Sequence, residues 1–150
     1  YVAEDLLYYN GGYNTFRQWY AEKDKEKWLE KIQKIPYFIN YYNKNMQNIL
    51  LTHAGFTPTH IPTTEESLWN RKHYSLEEDK TIGNWDNGYV IHGHTNKRYI
   101  AAERGDTVYL DQPYWYADGH KCCIDAGTAR TKSAIALNLD TFESHYFTLK

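Results

Sequence analysis

This sequence predicts an α+β fold, with helices first and mainly antiparallel strands after residue 36. Three observations carry that expectation. Up to Lys34 the apolar residues recur three and four positions apart, the spacing of one helix face. Beyond Pro36 they gather instead into short β-branched and aromatic runs, bounded by turn residues such as Asn43-Lys44-Asn45 and Leu139-Asp140-Thr141. Two of those runs, Ile49-Leu50-Leu51-Thr52 and Tyr89-Val90-Ile91, lead straight into histidine and glycine.

The chain of 150 residues is long enough for one domain with a real core, and it is read as a single domain, 1–150. Hydrophobic residues make up 41% and charged residues 24%, with a formal net charge of −2, so there is no basic stripe for nucleic acid or a membrane face. No apolar run reaches the length of a membrane span.

Taken in order, Leu6, Tyr9, Tyr13, Phe16 and Tyr20 mark a helical stretch that Gly11-Gly12 divides in two. Glu22 to Lys34 is a charged amphipathic helix with Trp28, Leu29 and Ile32 as its apolar stripe, stopped by Pro36. Tyr37 to Tyr42 and Gln47 to Thr52 form a hairpin. Pro58 and Pro62 mark a loop, after which Thr63 or Thr64 caps a short helix that turns Leu68 and Trp69 inward. From His73 to Gly88 loop is expected, with one helical turn, before a strand from Tyr89 to His92. Lys97 to Lys121 reads as irregular, its Tyr114-Trp115-Tyr116 cluster a loop lid or an exposed stacking surface. Cys122 to Asp125 is a strand; its adjacent cysteines point to opposite faces and are expected reduced, which favours the cytoplasm. Ser133 to Asn138 and Ser144 to Thr148 form a second antiparallel pair.

The chemistry concentrates at the strand ends. His92 and His94 are two apart, which on a strand places them on one face, and Gly93 lets the backbone turn or approach closely. His53 ends the other strand. Imidazoles so placed suit Mn²⁺, Fe or Zn²⁺, although ordinary core histidines are the alternative. Carboxylate partners are few, and Asp125 could equally form a turn, so the residues yield half a metal site.

Four motifs in order are Thr52-His53-Ala54-Gly55-Phe56, Ser67-Leu68-Trp69-Asn70-Arg71, Val90-Ile91-His92-Gly93-His94-Thr95 and Cys123-Ile124-Asp125-Ala126-Gly127-Thr128. From Pro36 onward the chain therefore resembles the C-terminal half of the calcineurin-like metallophosphoesterases, of the bacterial and phage phosphoprotein-phosphatase type. That group includes symmetrical dinucleoside-tetraphosphate hydrolases. The resemblance implies a β-sandwich flanked by helices, with a pair of divalent metals, Mn²⁺ first and Fe or Zn²⁺ as alternatives. It implies His53 and His94 as metal ligands, Arg71 as a contact to substrate phosphate, and His92 as a neighbour that orients groups or touches substrate. Asp125 is implied to fix the turn behind the metals. The partner is a phosphorylated substrate, a phosphoprotein or a nucleotide, hydrolysed by metal-activated water as in a serine/threonine phosphatase.

The family's Asp-x-His, Gly-Asp-x-x-Asp-Arg-Gly and Gly-Asn-His motifs are absent; Gly83-Asn84-Trp85 carries tryptophan where histidine belongs. The chain thus reads as part of something longer that begins just after the Gly-Asn-His motif, and as incomplete and weakly active alone. Thr128-Ala129-Arg130 replaces the small residues of relatives, which leaves that loop's geometry open. Two rival readings stand beside this one: a non-catalytic fragment of such a domain, and a binding module using Tyr114, Trp115 and Tyr116.

Overall fold

A computed structural model describes residues 12–57, 60–80 and 88–148. The helical stretch up to Gly11, the turn at Pro58 and residues 81–87, Trp85 among them, lie outside the described residues. The chain divides at Pro36 into two compact units.

The first unit carries α1 (Tyr13–Ala21) and α2 (Lys25–Gln33). The apolar stripe of α2 exists as spaced, but Trp28, Leu29 and Ile32 all stand exposed. Glu30 and Lys34 pair one turn apart at its end, a contribution of about 0.3 kcal/mol.

The second unit is built on a five-stranded sheet in the order β1-β2-β3-β5-β4. Its strands are β1 (Phe38–Tyr42), β2 (Asn48–Thr52), β3 (Gly88–His92), β4 (Tyr114–Tyr116) and β5 (Lys121–Cys123). β1 with β2 and β4 with β5 pair antiparallel at the edges, whereas β2, β3 and β5 run parallel through the centre. A separate antiparallel pair joins β6 (Ser133–Leu137) to β7 (Ser144–Thr148). The α+β class is what the structure has; the parallel centre is the feature on which the site depends. Parallel strands end at the same edge, so the residues after Thr52, His92 and Cys123 emerge side by side.

Alternation along the strands sorts the core into two layers. Ile49, Ile91 and Cys122 face Leu137, Leu139 and Phe142 from the β6–β7 hairpin. Tyr114, Tyr116 and Cys123 face Ile100 and Ala101. The adjacent cysteines are free, buried and on opposite faces as expected, and burial raises both thiols, Cys123 to about 12.

The short helices explain themselves through their caps. In α3 (Thr64–Trp69) the Thr63 hydroxyl accepts from the Glu66 amide while Glu66 reaches back to the Thr63 amide, worth about 1 kcal/mol. α4 (Leu76–Asp79) is capped by Ser75 and supplies the helical turn expected there. The stretch after Lys97 is not irregular. It opens with α5 (Lys97–Arg104), capped by Asn96 and closed by a left-handed Gly105. Those two cap residues were readable in the sequence; the weak apolar pattern hid the helix between them. Tyr114-Trp115-Tyr116 is likewise no lid: it is strand β4, with Tyr114 and Tyr116 buried in the core. A final turn, α6 (Thr128–Thr131), follows Gly127. Among the described residues no helix is long and apolar enough to cross a membrane.

Candidate metal centre

His53 follows β2, and His94 lies two residues beyond β3. A backbone bond from the Gly93 amide to the His53 carbonyl, 2.9 Å, extends the parallel ladder past both strand ends and fixes their spacing. The two rings meet edge to face, with His53 Nε2 3.1 Å from His94 Nδ1. His94 Nε2 is buried and makes no hydrogen bond. Burial pushes the His94 imidazole below its ordinary pKa, His53 and Arg71 reinforce the shift, and Asp125 opposes it. His94 is therefore neutral at pH 7, the form that donates a lone pair to a metal.

The 3.1 Å contact is a hydrogen bond between the two rings, and its spacing is also one that a divalent ion would span. At the metal–nitrogen distance of zinc, two imidazoles sit about 2.9 Å apart at a right angle and about 3.3 Å at a tetrahedral one. The observed 3.1 Å falls between them. Two ligands do not complete a centre, and among the described residues no group of three His, Cys, Asp or Glu side chains gathers for a metal.

The expectation that His92 and His94 share a face fails, because the strand ends at His92. His94 adopts a left-handed backbone, φ 63°, and the Thr95 amide bonds to the Gly93 carbonyl across the turn. A non-glycine residue held there costs about 1–3 kcal/mol, the kind of strain that collects at functional sites. Gly93 itself needs no special freedom, since a Cβ on it would come no nearer than 3.8 Å to the His53 carbonyl.

His92 instead points into the core. Its Nδ1 donates to the Gly93 carbonyl, 3.1 Å, and its Nε2 lies 2.8 Å from the Tyr116 hydroxyl. The carbonyl can only accept, so Nδ1 carries the proton and Nε2 accepts from Tyr116. The same hydroxyl lies 3.0 Å from His73 Nδ1, from which it accepts. Burial draws His92 down to about 4 and His73 to about 2, so both are neutral struts behind the His94 turn. His73 and Tyr116 carried no signal in the sequence except one glycine. A Cβ on Gly55, where φ is +85°, would stand 2.5 Å from the His73 ring. The glycine of Thr-His-Ala-Gly is there for His73.

Lys121 closes this buried region. Its ammonium donates to Thr57 Oγ1, 3.1 Å, and to the His73 carbonyl, with Asp79 at 3.8 Å. Burial lowers it to about 8 against the pull of Asp79. Arg104, bonded to the same Asp79 at 2.6 Å, lies over the Tyr116 ring.

Asp125 behaves as a turn residue: its carboxylate accepts from the Gly127 amide, 2.7 Å, and its carbonyl accepts from Lys97. Arg71 is exposed and lines a cleft of about 620 Å³ with Phe56, Trp69 and Lys72. Trp69, expected inward, is 60% exposed and meets His94 edge to face at 5.7 Å. Ser67 is the residue of α3 that turns in, where its carbonyl accepts from the Ala54 amide, 2.8 Å, and docks the helix on the His53 loop. Comparison of the chain with protein-family models, with curated proteins and with solved structures gives no match.

Proposed function

We propose that this chain serves metal-dependent hydrolysis of phosphate monoesters or related phosphoesters at a two-metal centre, in the manner of a protein serine/threonine phosphatase. One observation carries the reading: two imidazole nitrogens converge to 3.1 Å at adjacent ends of parallel strands. The Arg71 charge felt at the His94 ring supports it. A divalent ion there, Mn²⁺ first and Fe or Zn²⁺ as alternatives, would supply Lewis acidity to a phosphoryl group. His53 and His94 are the residues that would hold it. Arg71, on the cleft side, would pair with phosphoryl oxygens and favour the charge that develops as the ester bond breaks. His92 would touch neither; it holds the Gly93 carbonyl and with it the turn that aims His94.

A second reading, a module that binds metal without turnover, is favoured by the absence of a third ligand among the described residues. The aromatic-surface reading loses its basis with Tyr114 and Tyr116 in the core. The test is Mn²⁺ titration by calorimetry and elemental analysis, beside hydrolysis of para-nitrophenyl phosphate. The 150-residue chain should bind Mn²⁺ weakly and turn over little. Robust turnover would place the active site elsewhere, and no Mn²⁺ uptake at all would end the metal reading.

A further inference from the structure

Trp69 is a large aromatic side chain that the fold leaves in solvent beside the candidate centre, on a rigid mount. The capping box at Thr63 and Glu66 fixes the start of α3. The bond from the Ala54 amide to the Ser67 carbonyl fixes its docking two residues before Trp69. The indole is thus held against His94 on one side while it lines the 620 Å³ cleft on the other. A volume of that order admits a small-molecule ligand.

The charges around the cleft narrow what fits. Arg71 and Lys72 line it, and so do Glu65, Glu66 and Glu78. Three carboxylates against the two cations Arg71 and Lys72 leave no surplus of positive charge for a second phosphate, so a polyphosphate chain is disfavoured. What the cleft offers is an aromatic face.

We infer that Trp69 is a specificity-determining platform on which a planar aromatic ring carried by the alcohol or phenol portion of a phosphate monoester packs. The inference rests on the phosphoesterase reading, and it selects monoesters with an aromatic ring over aliphatic ones. The phosphate meets Arg71, and the ring lies along the indole that borders His94, gaining the offset-stacked or edge-to-face contact that aromatic pairs prefer. Tyrosine phosphate and a nucleoside monophosphate both present such a face, so the shared chemistry is the ring.

The experiment is calorimetric titration of the full chain, parent and variants alike, in the presence of Mn²⁺. Phenyl phosphate and glycerol 2-phosphate are the probes. Phenyl phosphate should bind about tenfold more tightly than glycerol 2-phosphate. Trp69→Ala should erase that preference, the ratio of the two affinities falling to about one, and Trp69→Phe should restore most of it. Phosphotyrosine and AMP are the further arms, and whichever binds tighter identifies the source of the ring. Equal affinity for the two probes, or a preference that survives Trp69→Ala, overturns the platform. A preference that persists after chelation counts against the metal centre alone and supports the platform; Mn²⁺ uptake without any aromatic preference overturns the platform alone.

Discussion

Two pairs of histidines lie within a few residues of each other in this fold, and they are used in opposite ways. His53 and His94 meet past the ends of β2 and β3, His53 Nε2 against His94 Nδ1. His73 and His92 lie in the core with ring centroids 4.5 Å apart, bridged by the Tyr116 hydroxyl. The imidazole is the same in both. What differs is the partner: past the strand ends the two rings contact each other, whereas in the core both are tied to the Tyr116 hydroxyl. The comparison teaches that a histidine next to glycine at a strand end is no ligand by that fact alone: His92 meets the description and is a strut.

The largest effect that would break this contrast is on metal uptake. His94→Ala should abolish Mn²⁺ binding, because one imidazole is left for a weak site. His92→Ala should keep the ion with affinity reduced about 10–100-fold, the usual cost of a lost supporting contact. Metal stoichiometry on both variants decides it. Equal loss in the two would make His92 a ligand, and a retained ion in His94→Ala would remove the basis of the edge site.

The next effect is on stability. Gly55→Ala should destabilise the fold by about 3–5 kcal/mol, since it adds a Cβ against the buried His73 ring at a left-handed backbone position. Urea unfolding measures it. A variant within about 1 kcal/mol of the parent would show that the His73 strut gives way freely, and the contrast between pairs would lose its rigid half.

The smallest is the response to acid, and its sign follows from the depressed values. His73 and His92 titrate at about 2 and about 4 when folded, against about 6.5 unfolded. Below pH 6.5 the unfolded chain binds more protons, so stability is fully present above that pH and is lost as pH falls toward 4. Between pH 7.5 and 5.5 the expected loss is about 1–3 kcal/mol for the two groups together. Urea midpoints at the two pH values test it; a midpoint that does not fall, or rises, on acidification would mean these rings are not held neutral.

Much of the fold was legible because it is local. The β1–β2 hairpin, the Thr63 capping box, the helical turn after Ser75, the opposite faces of Cys122 and Cys123 and the β6–β7 pair each rest on residues a few positions apart. His53 and His94 were legible as strand-end histidines beside glycine. The α5 helix is marked in the sequence only by its caps, Asn96 and Gly105, because its apolar spacing is weak. Trp69 departs from the inward orientation an apolar residue on a short helix ordinarily takes, because Ser67 is the residue that docks on the His53 loop.

By itself, then, the sequence determined most of the element types outside residues 97–121, the alternation of faces at Cys122 and Cys123, and the placing of His53 and His94 after strands. Capping, turn chemistry and alternation act within a few residues, and the chain carries them wherever it folds. The tertiary structure alone decided that the central strands run parallel, which places the two edge histidines, 41 residues apart, in contact. It alone decided that Tyr116 reaches His92 and His73, 24 and 43 residues away, and so which imidazoles are struts. The reason is physical: a lone pair is satisfied or left open by whatever the packed chain brings within about 3 Å of it, and at such separations no local pattern encodes that distance.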